Sequence, residues 1–262
     1  MKLSLIQITV GSNPEKNFEK TKYFLKEALK NNPDFILLPE CFLFISNSFK
    51  IHFSMDDKYL RYFQEFSKIN KTYLLLGSLP IEENNNIFNR SILINEKGEI
   101  SSFYDKIHMF DVNLKNNETY RESDTFKSGS KLKYMNIFDY RIGHSICFDL
   151  RFPKLYRDLA KKGCKAIVVP SAFTYTTGKA HWHTLLKARA IENGVFIIAP
   201  NQWGTNEDKR STYGHSMIVN PWGEIIAEAS DEEMVLNCDI NFDIVEGIQN
   251  SIPVLSYDRD FN

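Results

Sequence analysis

Tyr140-Arg141-Ile142-Gly143-His144-Ser145-Ile146-Cys147-Phe148-Asp149-Leu150-Arg151-Phe152-Pro153 reads as a strand that runs into a cysteine and then into a helix. Tyr140 to Ile146 alternates, as a strand does. Pro153 is a helix-start signal. Cys147 therefore sits at the carboxyl end of a strand, where open α/β sheets present reactive groups. Two other segments end in the same way. Leu37-Leu38-Pro39-Glu40 sets a carboxylate after an apolar strand, and Tyr104-Asp105-Lys106-Ile107-His108 sets an ammonium group after another.

Outward from this stretch, strand and helix patterns alternate. Lys2 to Val10 reads as a strand, and Asn13-Pro14 as the N-cap and first residue of a helix reaching Lys30. Phe18, Phe24, Leu25, Ala28 and Leu29 share one face of it. Asp34 to Leu38 is a short buried strand, Asp57 to Ile69 a helix, and Thr72 to Leu76 another strand. Asn89 to Asn95 and Ile100 to Tyr104 flank the turn Glu96-Lys97-Gly98 and form a hairpin. Residues 111 to 130 are polar and aperiodic, as in a functional loop or lid. Beyond Cys147 come a helix from Pro153 to Lys162, a strand from Ala166 to Val169, a helix from Ala180 to Asn193 and a strand from Val195 to Ala199. A hairpin follows around Asn220-Pro221-Trp222-Gly223, then a strand from Met234 to Ile240, a short helix from Phe242 to Gln249 and an extended tail from Ile252. No linker or composition break divides residues 1–262, so one domain is expected, with two sheets face to face and helices outside.

The bulk numbers set limits. The 262 residues are 43% hydrophobic and 25% charged, ordinary for a globular chain with a substantial core. The net charge of −1 gives no broad basic surface for nucleic acid. Cys41, Cys147, Cys164 and Cys238 are scattered, with no metal-ligand spacing, and fit a reducing compartment. The amino-terminal apolar stretch is interrupted by Ser4, Gln7 and Thr9 and reads as a strand, not a signal peptide. No apolar run reaches the roughly 20 residues that span a bilayer. A cytoplasmic protein is expected.

Singly, each polar residue has a bland reading. A free cysteine is usually an inert small hydrophobe, Lys106 a solvated surface lysine, and Glu122, in Arg121-Glu122-Ser123, plain loop charge. Together they make a nucleophile's apparatus. A thiol attacks only if its proton has somewhere to go, and a carboxylate such as Glu40 accepts it. A lysine beside both favours the thiolate and a developing oxyanion. A second carboxylate keeps that lysine charged and aimed. Spacing alone does not bring Glu40, Lys106, Glu122 and Cys147 together.

The ordered set resembles the nitrilase, or carbon–nitrogen hydrolase, superfamily over essentially the whole chain. Leu-Leu-Pro-Glu at 37–40 resembles its base motif, Asp-Lys-Ile-His-Met-Phe-Asp at 105–111 its lysine motif, and Arg-Glu-Ser at 121–123 the place of its second glutamate. Ser-Ile-Cys-Phe-Asp-Leu-Arg-Phe-Pro at 145–153 resembles its nucleophile motif. Segments 177–182, 187–193 and 213–223 are also similar. Two positions depart: Lys154 stands where an acidic residue commonly follows Arg-Phe-Pro, and His183 follows His181-Trp182 where glutamate is usual.

The resemblance implies a four-layer αββα sandwich, a homodimer with sheets continued across the interface, and neither metal nor organic cofactor. It is closest to the Nit branch, whose enzymes are amidases on small carboxylate-bearing amides. The run Lys209 to Met217 is more similar to deaminated glutathione amidases, with ω-amidases acting on α-ketoglutaramate or α-ketosuccinamate as the alternative. It also implies that Glu40 is the base, Lys106 and the Phe148 backbone N–H the oxyanion donors, and Glu122 the lysine's partner. Arg151, whose planar guanidinium suits a carboxylate, is expected to bind substrate unless it pairs with Asp149 or Glu192. Tyr120, Phe173 and Thr174 are expected to line the pocket.

Three rival readings remain. A metal hydrolase would draw on the histidines, but His181-x-His183 on one helix points its rings about 200° apart. A Cys-His-Asp hydrolase would need a histidine against Cys147, and His144, three residues earlier on the strand, faces the other way. A catalytically silent scaffold need not retain all four of Glu40, Lys106, Glu122 and Cys147.

Overall fold

The computed structural model describes residues 1–46, 50–114 and 119–259. In chain order its elements begin β1 (Lys2–Gln7), α1 (Pro14–Leu29), β2 (Phe35–Leu37), α2 (Lys58–Asn70), β3 (Tyr73–Glu83), β4 (Asn86–Ile94) and β5 (Ile100–Asp105). Then come β6 (Asp111–Asn113), β7 (Thr119–Arg121), β8 (Tyr134–Ile137), β9 (Tyr140–His144), α3 (Pro153–Lys161), β10 (Ala166–Val168) and α4 (Tyr175–Asn193). The last are β11 (Phe196–Ala199), β12 (Trp203–Thr205), β13 (Ser211–Tyr213), β14 (Met217–Val219), β15 (Ile225–Glu228), β16 (Met234–Asp239) and α5 (Ile244–Ser251).

Two six-stranded sheets form, in the orders β16-β1-β2-β3-β4-β5 and β15-β14-β11-β10-β9-β8. The central strands β1, β2 and β3 run parallel, as do β9, β10 and β11, and the flanking strands are antiparallel. The period-2 rule then builds the layers. In β2, Phe35 and Leu37 face the second sheet, while Ile36 faces the helices α1 and α2. In β10, Ala166 and Val168 face the first sheet, while Ile167 faces α3 and α4. Strands buried on both faces read as unbroken apolar runs, and these do. The result is the expected αββα sandwich.

Several elements differ from the sequence reading. β3 does not stop at Leu76 but continues through a bulge to Glu83 and pairs with β4. Beyond the bulge the ladder resumes, with Pro80 opposite Asn89 and its carbonyl accepting from the Phe53 N–H at 2.8 Å. Asn84 and Asn85, both with left-handed backbones, close the hairpin. α4 starts at Tyr175, not Ala180. Thr176, Thr177 and Gly178 are poor helix formers, but a side chain at Gly178 would collide with Tyr213, so the glycine permits close packing. The loop over 111–130 contains the β6–β7 hairpin and a 3-10 turn, Glu122–Asp124, while its residues 115–118 lie outside the described residues. The tail is not extended: Leu255 packs against the α3–α4 layer, and Asp258 pairs with Lys161 at 2.8 Å. Residues 260–262 lie outside the described residues. No helix among the described residues is long and apolar enough to cross a membrane.

Candidate active site

Four strand ends deliver the site. Glu40 follows β2, Lys106 follows β5, Cys147 follows β9, and Ala172 lies between β10 and α4. Glu122 opens the 3-10 turn after β7. Gly77, in β3, lets the chain press against the carbonyls of Leu38 and Pro39, where any side chain would clash. That contact fixes the backbone leading to Glu40.

The Lys106 ammonium lies 2.8 Å from Glu40 Oε1 and 2.9 and 2.8 Å from the two Glu122 oxygens. Lys106 and Glu40 are almost fully buried. Asn89, in β4, donates its amide to Glu40 Oε1 at 3.0 Å and to Glu122 Oε1 at 2.9 Å. The Ala172 N–H donates to Glu40 Oε2 at 2.8 Å, and the Phe110 N–H to Glu122 Oε2 at 2.6 Å. The Cys147 thiol and the Glu40 carboxylate face the same cavity and influence each other's ionisation. All four residues assembled from the sequence therefore meet. Asn89, the Ala172 N–H and the Phe110 N–H are members that the sequence reading missed: an asparagine in a hairpin has no distinctive signal, and backbone donors have none at all.

Burial opposes the Glu40 charge, but Lys106, the thiol and the Ala172 N–H outweigh it and hold the carboxyl below its ordinary range. Burial also opposes the Lys106 charge, yet Glu122 and Glu40 hold the ammonium well above its ordinary value. Cys147 goes the other way. Burial and the neighbouring Glu40 charge raise its thiol well above normal, and Lys106 offsets only part of this. The resting residue is a neutral thiol beside an ionised carboxylate, not the thiolate that the lysine alone would favour.

Cys147 has φ 45°, in the left-handed region that non-glycine residues rarely adopt. Its surroundings hold it there. Its N–H donates to the Pro170 carbonyl at 3.0 Å. Buried Asp149 accepts from Tyr104 Oη at 2.7 Å, from the Ile146 N–H at 2.9 Å and from the His108 N–H at 3.1 Å, with His108 Nδ1 at 2.7 Å. Asp149 is thus committed to the nucleophile turn. Glu192 pairs with Arg189. Neither pairs with Arg151, whose guanidinium instead faces the rings of Phe148 and Phe173 and lies 3.3 Å from His181 Nδ1.

A cavity of about 620 Å³ opens onto Glu40, Lys106, Glu122 and Cys147. Tyr120, Phe148, Phe173 and Thr174 line it, as expected. Arg151 does not; it stands behind Phe148 and Phe173. Arg210, which the sequence reading had not assigned a role, does line it. Its guanidinium covers Tyr120 at 5.2 Å, and among the described residues its Nε is buried without a hydrogen-bond partner. His144 is buried with Nε2 3.2 Å from Ser102 Oγ, and burial pushes its pKa down to about 3. It is a neutral core histidine.

Residues 2–249 match the carbon–nitrogen hydrolase family. The chain belongs to that family. The hydrolase is 36% identical to a deaminated glutathione amidase of Dictyostelium discoideum, over 98% of this chain and 94% of that one. It is 33% identical to an omega-amidase of Homo sapiens, over 98% and 95% of the two chains. The NitFhit protein of C. elegans superposes with a TM-score of 0.90 at 32% identity, covering 98% of this hydrolase and 65% of the longer chain. The hydrolase is of the nitrilase superfamily, the class its amidase-named relatives share.

Proposed function

We propose that this amidase hydrolyses the terminal amide of a small carboxylate-bearing substrate, deaminated glutathione, to the acid and ammonia through a Cys147 thioester. The observation that carries the reading is Cys147 in one cavity with Glu40, whose carboxylate is bonded to the Lys106 ammonium that Glu122 also holds.

Transfer of the proton from a raised thiol to a lowered carboxyl is uphill at rest. It therefore accompanies formation of the S–C bond, so that Glu40 receives the proton as sulfur attacks the amide carbonyl. The carbonyl oxygen becomes an oxyanion held by Lys106 and by the Phe148 N–H. Phe148 is the second residue of a 3-10 turn, Cys147–Arg151, and first-turn N–H groups have no partner within their helix. Lys106 releases one of its two Glu122 contacts to the oxyanion and keeps the other. Glu40 then protonates the leaving nitrogen, the C–N bond breaks, and ammonia departs. Glu40 next takes a proton from water as it attacks the thioester, and the thiol is restored.

The carboxylate of the substrate is read by arginine. Arg210 lines the cavity and has no carboxylate partner among the described residues, whereas Arg151 lies outside the lining and packs on Phe148 and Phe173. Similarity to the Dictyostelium discoideum deaminated glutathione amidase supports deaminated glutathione, and similarity to the human omega-amidase supports the alternative, an ω-amidase acting on α-ketoglutaramate or α-ketosuccinamate. We read residues 1–262 as one hydrolase domain, needing no metal or organic cofactor for this reaction, in a cytoplasmic homodimer. Exposed Ile191, Trp222 and Ile226 around α4 and the β14–β15 turn support the dimer, and four free cysteines suit the compartment.

The test is ammonia release from deaminated glutathione and from α-ketoglutaramate, side by side, with Cys147→Ala as control. Preference for the first supports the proposal, and preference for the second moves the enzyme to the ω-amidases. A Cys147→Ala enzyme that retained activity would overturn the mechanism. Sedimentation equilibrium decides the dimer.

A further inference from the structure

His183, His215 and Glu228 come from three elements: α4, the segment before β14, and β15. Their ligand atoms lie within 4.8 Å of one another. His183 Nε2 is 2.8 Å and His215 Nδ1 2.7 Å from the same oxygen, Glu228 Oε1. None of the three lines the catalytic cavity. His181, two residues before His183, is turned away to Arg151, as helix geometry requires. The second histidine of the cluster comes from a distant segment, which His-x-His spacing within one helix could not reveal.

We propose that His183, His215 and Glu228 form a binding site for a divalent transition metal, Zn²⁺ above all, separate from the catalytic centre. Two imidazoles and one carboxylate suit a borderline cation with an open fourth position for water. Tetrahedral bonds of about 2.0–2.1 Å set ligand atoms about 3.3 Å apart. The two contacts to Glu228 need to open by only about half an ångström to reach that separation.

The surroundings fit the same use. A metal-bound imidazole usually gives its other N–H to a carboxylate, which fixes the tautomer. With Nδ1 on the metal, His215 carries its proton on Nε2, and Asp231 Oδ1 lies 3.3 Å from that nitrogen. The His215 ring stacks on Tyr213 at 4.4 Å, and its carbonyl accepts from Trp182 Nε1 at 2.8 Å, which limits its movement. The side chains of His183 and Glu228 are 35% and 32% exposed, so an ion can enter from solvent. His183 also stands where the sequence resemblance led to an expectation of glutamate, so the nitrogen-rich set is a feature of this chain. Bound metal would fasten α4 to the β14–β15 hairpin.

The test is equilibrium dialysis of the full chain against buffered Zn²⁺, in a Cys147→Ala background that removes the catalytic thiol. One ion per chain is expected. His183→Gln or Glu228→Gln should weaken binding at least 10-fold, and Asp231→Asn, acting through His215, about 10–100-fold. His52→Gln, altering a remote surface histidine, should leave it unchanged. Circular dichroism establishes that each variant is folded. Co²⁺ substitution supplies a second readout: visible bands free of a thiolate charge-transfer band, lost in His183→Gln. Failure of the Cys147→Ala protein to retain Zn²⁺, or equal retention by the folded His183→Gln and Glu228→Gln variants, overturns the proposal. The assignment is independent of the amidase substrate.

Discussion

The Asn89 side-chain amide donates to Glu40 Oε1 at 3.0 Å while its other N–H reaches Glu122. One neutral group therefore spaces two carboxylates that share one ammonium. A hydrogen bond to a charged group contributes about 1.5–3 kcal/mol. Asn89→Ala should lower kcat roughly 10–100-fold by loosening Glu40, at the rate of about 1.4 kcal/mol per factor of ten, with little change in KM. Steady-state kinetics of the folded variant check this. An equal loss through KM alone would mean that Asn89 serves binding.

The proposed base and oxyanion donor should separate by size of effect. Glu40→Gln keeps the shape but cannot take the proton, and should cost about 10²–10⁴-fold in kcat. Lys106→Met should cost about 10²–10³-fold or more, because it also leaves Glu40 and Glu122 uncompensated in a buried site. Cys147→Ala should abolish covalent turnover. Rapid-quench mass spectrometry of the wild type should find the acyl adduct on Cys147, and finding it on no residue would sink the thioester.

The arginines can be told apart by substrate charge. Arg210→Ala should raise KM for a carboxylate-bearing amide about 10-fold or more and change KM for a neutral amide of similar length little, whereas Arg151→Ala, outside the cavity lining, should affect the two substrates alike. Comparing both substrates with both variants assigns the anchor. Equal losses on the two substrates would show that the arginine shapes the pocket instead of binding charge.

Much of this was legible because the proposed catalytic groups follow strands whose apolar runs are unmistakable. Leu37-Leu38-Pro39-Glu40 and Ile146-Cys147 announce both the strand and its end. The four-layer order was legible for the same reason: strands buried on two faces need helices on both outer sides. What stayed hidden depends on contacts between distant segments. The β3 extension stayed hidden because the pairing with β4 beyond the bulge exists only in the sheet. Gly178 masked the start of α4 because its reason is the Tyr213 ring packed against it. Asp149 was weighed as a partner for Arg151, but its real partners, Tyr104 and His108, come from another strand end. The burial that keeps the Cys147 thiol protonated at rest has no local sequence signal.

The pH profile follows from the directions of the shifts. Glu40 is held below its ordinary value of 4.5, so the free base is present above that lowered pKa and is lost only as pH falls through it. Lys106 is held well above 10.5 and the Cys147 thiol well above 9.0, so neither loses its proton near neutrality. kcat/KM should therefore be flat across neutral pH, with its acid limb below the ordinary carboxylate range. Measurement with a substrate that does not titrate in the window checks this. An acid limb near 6–7 would point to a histidine and against Glu40 as the base.

Asp149 should matter for stability as well as rate. It is fully buried and accepts from Tyr104 and from the N–H groups of Ile146 and His108, which together pin the left-handed turn at Cys147. Asp149→Ala strands those donors away from water, and each unsatisfied buried group costs about 1–3 kcal/mol. A total near 3 kcal/mol corresponds to a fall in Tm of roughly 6–12 °C for a chain of this size. Activity should fall further than folding does, because a relaxed turn carries the sulfur away from Glu40 and the Phe148 N–H away from the oxyanion. Thermal melts and kcat measured well below the new Tm separate the two effects. A folded Asp149→Ala enzyme with full activity would show that the turn holds Cys147 without Asp149.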